Sequence, residues 1–228
     1  MDYLYWAELA EQSRRFEDMK DYLKYYLAEE SVVSEEFKDL FYRAYKSLLG
    51  QTRSALASMS CSNHKAYAFY KNHLENLVGD LCDEALYILD KRLTGLTKST
   101  HNAVFYYKMK ADLFRYLAEF QCSEDNIEKF GTVSSQKALR YYEAASDLAL
   151  SSLEPYDPLR LSLALNFSVY YNDILKSSER ACNVCRAAIV QAQVSLKGVS
   201  DAQTKEACQN LIELLTTNLS IWTQTLIN

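Results

Sequence analysis

Glycine and proline are nearly missing from this chain. It has five glycines and two prolines in 228 residues. Average usage of the two types, roughly 12%, would supply about 27. Glycine supplies positive φ for turns and bulges, and proline punctuates loops. Such scarcity predicts few tight turns. It argues against a β-sandwich or barrel, a Rossmann fold and a P-loop enzyme, which need glycine at set places. A basic excess is missing too: 25 Lys and Arg stand against 30 Asp and Glu, a net charge of −5. That argues against broad nucleic-acid binding but not against a local basic site. No apolar run approaches the ~20 residues that span a bilayer. Met1 to Arg15 carries Glu8 and Glu11 and no apolar signal core. The expectation is therefore a cytoplasmic protein without a secretory peptide and with neither a nucleic-acid nor a membrane partner.

Catalytic and metal patterns are also lacking. His64, His73 and His101 fit no HExxH-type spacing, and no GxSxG or glycine-rich phosphate loop occurs. Cys182 and Cys185 form a lone CxxC. A structural zinc site usually needs four ligands, and redox CxxC motifs usually sit in a βαβ setting. With Cys61, Cys82, Cys122 and Cys208, these cysteines are expected to be reduced and mostly buried. No enzyme activity, metal or cofactor is expected.

What is present is helical periodicity, in a chain whose 49% hydrophobic content allows a sizeable core. The pattern predicts helices over 2–15, 19–28, 34 to about 61, 64–93, 101–120, 134–152, 157–176, 178–196 and 201–225. Residues 121–133 read as a loop, and Thr94-Gly95 and 197–200 as breaks. Ser34 reads as an N-cap with Glu35 and Glu36 in the first turn. No repeat at 34 or 40 residues supports a solenoid. No linker separates two domains, so 1–228 is expected to form one.

Two pairs of cations stand out. Lys46 and Arg53 are seven residues apart, about 20° short of two full helical turns, so they share a face. Lys108 and Arg115 repeat the spacing, with Tyr116 following. Two such stripes could converge on one anion, and the planar fork of Arg suits phosphate oxygens. A solvated charged face explains the spacing equally simply. Asp112 and Glu119 lie within helical reach of Arg115 and could hold its rotamer. The apolar residues Phe105, Met109, Phe114 and Leu117 suggest that these charges line a cleft. Asn166 interrupts an apolar run with Leu165 and Val169. Asn218 interrupts the stripe Leu211, Leu214, Ile221, Trp222. An amide that both donates and accepts suits an extended peptide backbone, and a satisfied polar residue in a packed core suits the pattern too.

The segments 39–55 (DLFYRAYKSLLGQTRSA), 104–120 (VFYYKMKADLFRYLAEF), 160–175 (RLSLALNFSVYYNDIL) and 211–223 (LIELLTTNLSIWT), with 7–19 (AELAEQSRRFEDM), resemble the 14-3-3 family. The matches run in order from residue 7 to 223. The resemblance implies an all-α fold: about nine antiparallel helices forming a cup-shaped bundle with an amphipathic groove. It implies a phosphoserine/phosphothreonine-dependent adaptor, without catalysis, that holds phosphorylated segments of client proteins in signalling. Lys46, Arg53, Arg115 and Tyr116 match the phosphate-binding set. Asn166 and Asn218 match residues that bond the ligand backbone. Asp173 stands where the family usually has Glu in that role. Leu165, Val169, Leu211, Leu214, Ile221 and Trp222 match the apolar wall, and Lys108 a further basic residue at the groove. The family's usual basic residue beside the first signature is replaced by Ala57, and a wall Leu by Asn210. Six residues follow Trp222, without the family's acidic tail.

A homodimer is implied as well. Leu9 and Ser13 match its apolar contact, opposite Ala55, Met59 and Tyr70. Arg15 and Asp18 match residues that pair across the interface, where this chain offers Leu77 and His73. The expected dimer is therefore altered. The competing possibility is a helical scaffold that binds partners through the apolar wall, independently of phosphorylation.

Overall fold

The computed structural model describes residues 1–60, 64–95, 99–120 and 130–227. Among them are nine α-helices and no strand: α1 (Tyr3–Gln12), α2 (Phe16–Glu29), α3 (Glu35–Ser58), α4 (Lys65–Ile88), α5 (Thr100–Phe120), α6 (Phe130–Ser152), α7 (Pro158–Asp173), α8 (Ser178–Ser195) and α9 (Ala202–Ile227). No helix among the described residues is long and apolar enough to cross a membrane.

Local chemistry starts several of these helices. The Ser34 hydroxyl accepts from the Phe37 N–H at 3.1 Å, with Glu35 and Glu36 in the first turn. Asp157 accepts from the Leu159 N–H at 2.7 Å, and Pro158 follows where a missing N–H costs nothing. The His64 Nδ1 accepts from the Ala66 N–H at 3.1 Å and opens α4.

Two helix ends depart from the glycine arithmetic. Arg14 and Lys176 hold φ of 58° and 51°, while no described glycine has positive φ. After α1, the Arg15 N–H donates to the Ala10 carbonyl at 2.8 Å and the Arg14 N–H to that of Glu11 at 2.9 Å. This closure usually recruits glycine, and a side chain there costs roughly 1–2 kcal/mol. Scarce glycine therefore does not mean absent left-handed turns.

Several boundaries differ from expectation: α1 stops at Gln12 rather than 15, α3 at Ser58 rather than about 61 and α7 at Asp173 rather than 176, and two differences are larger. Helix α6 begins at Phe130, so residues 130–133, expected in a loop, are helical, and Gly131 lies within a helix. Gly-Thr-Val has weak helix propensity, which is why the sequence pattern reads it as loop. The rest of that expected loop, 121–129, lies outside the described residues. The expected helix 64–93 is α-helical only to Ile88, and Leu89–Leu93 form a wider π-helical turn.

The chain divides into two compact units, Met1–Leu96 and Thr97–Asn228. In the first, α1 packs on α2 and α3, α2 on α3, and α3 on α4. Phe37, Phe41 and Tyr45, four residues apart, form one stripe of α3 with ring centroids 5.9 and 4.7 Å apart, and Tyr26 stacks on Phe37 at 5.2 Å. In the second unit α7 contacts α5, α6, α8 and α9. Its Leu163, Phe167 and Tyr170 enter one apolar cluster with Tyr142 of α6. Leu161 enters another with Cys182, Cys185, Leu215 and Trp222 from α8 and α9. A helix packed on several sides is apolar nearly all round, which the LALNFSV run provides.

Candidate functional site

The cations of the first unit lie on α3. Lys46 is exposed, its ammonium 5.5 Å from the Tyr42 ring centroid. Arg53, two turns on, is half-buried. Between them Leu48, Leu49 and Thr52 point into the core, and Thr52 bonds the Leu48 carbonyl at 2.9 Å. The core face of α3 thus aims the two cations the other way.

The cations of the second unit have the same spacing and a different setting. Lys108 and Arg115 on α5 are 3% and 4% exposed. Burial of a charge is costly unless it is paired, and both are paired. The Lys108 ammonium donates to Asp112 Oδ2 at 2.9 Å. Arg115 Nη1 donates to Glu119 Oε1 at 2.7 Å and Nε to the Tyr142 hydroxyl at 3.1 Å. Tyr142 in turn donates to Asp112 Oδ1 at 2.6 Å. The guanidinium lies 4.4 Å from the Tyr116 ring centroid. Asn166, from α7, donates to both oxygens of Asp112 at 2.9 Å. Asp112 is the hub that joins α5, α6 and α7.

The protonation states follow from this arrangement. Burial pushes the Asp112 carboxyl up, but Lys108 and Arg115 outweigh it and hold the group below its ordinary value. Burial weakens the Arg115 charge, while Tyr142, Tyr116, Asp112 and Glu119 lift its pKa well above the ordinary one. Burial and then the Asp112 charge push the Tyr142 phenol well up. Two cations, two carboxylates and a neutral phenol therefore make a locally neutral network.

Beside it, α7 and α9 carry the apolar residues. Leu165, Val169 and Leu211 are half-buried against the α7–α8–α9 cluster, while Leu214 and Ile221 are 52% and 54% exposed. Leu215 and Trp222 face the other way into the core. Asn218 is half-buried on the side of α9 that carries Leu214 and Ile221. Asp173 is exposed at the end of α7 and accepts from the Asn172 amide at 2.7 Å.

The residues expected at a dimer contact are all in the first unit. Leu9, Ser13, Arg15, Tyr70 and His73 are exposed, and Asp18, Ala55 and Met59 half-buried. Arg15 bonds Asp18 of its own chain, so the two residues matched to pairs across an interface satisfy each other. Trp6, Leu9, Ala10, Ser13, Asp18 and Tyr22 line a small open hollow. Cys82, Cys182, Cys185 and Cys208 are buried and outside any disulfide, and Cys61 and Cys122 lie outside the described residues. Among the described residues no three metal-ligating side chains cluster.

Spacing had marked Asp112 and Glu119 as holders of Arg115. Glu119 holds it directly, and Asp112 does so through Tyr142. Tyr142 itself carried no sequence signal, since it sits on another helix in a Tyr-Tyr pair. Nor did spacing disclose that Asn166, matched to a ligand-bonding residue, turns its NH2 group towards Asp112.

A family model described as 14-3-3 protein matches residues 6–223. A 14-3-3-like protein from Fucus vesiculosus is 37% identical over 230 residues, covering 97% of this chain and 90% of that protein. The checkpoint signal transducer rad25 of Schizosaccharomyces pombe is 35% identical, covering 96% and 83%. The 14-3-3 protein epsilon of Drosophila melanogaster is 34% identical, covering 96% and 86%.

Proposed function

The chain belongs to the 14-3-3 family, whose members are protein-binding adaptors rather than enzymes, and on that footing we propose that it holds phosphoserine- or phosphothreonine-bearing segments of client proteins in the cytoplasm. Arg115 carries this proposal. The fold keeps its guanidinium charged, oriented and paired to groups that a phosphate can supplement or displace. Phosphorylation adds up to two negative charges and three strong acceptors, which charge-assisted bonds from Arg read well. The α5 network is neutral, so a dianion needs further positive charge. Lys46 and Arg53 are the further cations matched to the family's phosphate-binding set. Tyr116 adds its hydroxyl.

Asn166 and Asn218 bond the extended backbone of the client. With its NH2 on Asp112, Asn166 offers its carbonyl oxygen to a ligand N–H. Asp173, one methylene shorter than the usual Glu, reaches less far. Leu165, Val169, Leu211, Leu214 and Ile221 pack against residues flanking the phosphosite, with Trp222 buried beneath them. The protein pairs with a second copy through Leu9 and Ser13 against Ala55, Met59 and Tyr70. Leu77 and His73 stand where the family has charged partners for Arg15 and Asp18, so the pairing is altered.

Fluorescence polarisation of one peptide in two forms tests the function. The phosphorylated form binds with a Kd of about 1 μM or tighter, about −8 kcal/mol, and the unphosphorylated form far more weakly. Equal binding of both forms refutes phosphate reading. It favours the scaffold alternative, to which the exposed Leu214 and Ile221 lend themselves. Sedimentation at micromolar concentration tests the pairing, and a clean monomer refutes it.

A further inference from the structure

We infer that Tyr142 is a positioning residue of the phosphate site: its buried hydroxyl, held between Asp112 and Arg115, sets the orientation in which the guanidinium meets a phosphorylated segment. The inference rests on the phosphate-binding proposal above and adds to it a residue of α6.

A phenol has one proton and two lone pairs. The proton goes to Asp112 Oδ1 at 2.6 Å, and the oxygen accepts from Arg115 Nε at 3.1 Å. Neither bond can reverse, because the carboxylate has no proton to give and Nε–H can only donate. The hydroxyl cannot swing away without leaving a carboxylate and a guanidinium each short of a partner, and Tyr142 is 0% exposed. The ring is held as firmly as its oxygen. It stacks on Phe167 with centroids 5.0 Å apart and planes 14° apart, and lies 5.5 Å from the Tyr170 ring.

Arg115 is thereby fixed on three sides. Tyr142 takes the Nε edge, Glu119 takes one Nη1 proton, and the Tyr116 ring covers a face. Glu119 alone, one turn along the same helix, would hold one end of the fork and leave its plane free to turn. Tyr142 stops that turn, because its bond comes from a different helix. A donor already held in its binding orientation loses less freedom when the ligand arrives. The remaining N–H groups are then presented in a fixed plane to a phosphate, whose extra oxygen and second charge a carboxylate lacks.

Tyr142→Phe tests this in the full chain, with Tyr170→Phe as control. Tyr170 belongs to the same ring cluster, but its hydroxyl bonds the Ser135 carbonyl at 2.8 Å and touches no cation of the site. Tyr142→Phe should weaken phosphopeptide binding about tenfold, narrow the preference for phosphoserine over glutamate in the same peptide, and move the Arg115 Nε–H resonance in the NMR spectrum. Tyr170→Phe should leave affinity within about twofold. Affinity within twofold of wild type in Tyr142→Phe, an unmoved Nε–H, or an equal loss in Tyr170→Phe overturns the inference. If Tyr142→Phe does not fold, the wild-type protein decides. A slowly exchanging Arg115 Nε–H with a cross-peak to the Tyr142 ring supports the assignment, and a fast-exchanging, averaged one overturns it. Wild-type protein that ignores phosphorylation refutes the phosphate-binding proposal itself, and this inference with it. Wild-type protein that discriminates beside an unaffected Tyr142→Phe refutes the inference alone.

Discussion

Two pairs of cations in this molecule have the same sequence spacing and opposite surroundings. Lys46 and Arg53 on α3 are exposed and half-buried. Lys108 and Arg115 on α5 are almost wholly buried, each against a carboxylate of its own helix. The i, i+7 repeat fixes only that two side chains share a helix face. Whether that face meets water or other helices depends on what packs on it. On α3 the neighbouring positions Leu48, Leu49 and Thr52 take the core side and leave Lys46 exposed and Arg53 half-buried. On α5 the core side includes the cations, so every charge there needs a partner. The α5 pair is thus part of the folded core, while Lys46 of the α3 pair stays exposed.

The largest effect that separates the pairs is on stability. Asp112→Asn keeps the shape and removes the charge that Lys108 and Arg115 share. It should cost about 3–5 kcal/mol, the usual result of leaving a buried charge without its partner. Urea denaturation followed by circular dichroism measures it, and a loss near zero would mean the α5 network is dispensable for folding.

Binding gives the next contrast. Arg53→Ala should weaken phosphopeptide binding about a hundredfold, about 2.7 kcal/mol, with a smaller fall in melting temperature than Arg115→Ala. Arg115→Ala should lose binding and lower the melting temperature together. Calorimetry of binding and of unfolding on both variants distinguishes the two, and an Arg53→Ala destabilised as much as Arg115→Ala would erase the difference between helices.

Acid should also act on one pair only. The Asp112 carboxyl is held below its ordinary value in the folded protein, so the unfolded chain takes up that proton more readily. Its stabilising contribution is complete above about pH 4, the unfolded value, and disappears as pH falls through the lower folded value. Melting temperature between pH 5 and 3 should therefore fall less steeply in Asp112→Asn than in wild type. A parallel fall would assign acid sensitivity to other carboxylates.

The smallest effect is expected at Lys46. Lys46→Ala should change stability by less than about 0.5 kcal/mol, while weakening phosphopeptide binding in a manner that added salt partly masks. A larger stability change would show that the α3 cation is anchored after all.

The fold was largely legible because helical periodicity repeats many times along the chain. Residues 130–133 depart from the pattern where Gly131, Thr132 and Val133 have weak helix propensity. The candidate site was legible to the extent that its members share a helix. Lys46 with Arg53, and Lys108, Asp112, Arg115 and Glu119, follow from spacing. Tyr142 and Asn166 do not, because they reach Asp112 from 30 and 54 residues away, and no local pattern encodes such a distance.

By itself the sequence determined the helices, the faces they present and, through ordered motifs from residue 7 to 223, the family. These are consequences of local geometry and of residue order. It could not determine which cations would be exposed and which buried, nor that Arg14 and Lys176 would take the left-handed turns scarce glycine left vacant. Those outcomes belong to the tertiary structure, because burial, pairing and tolerated strain depend on what other segments bring to the same place.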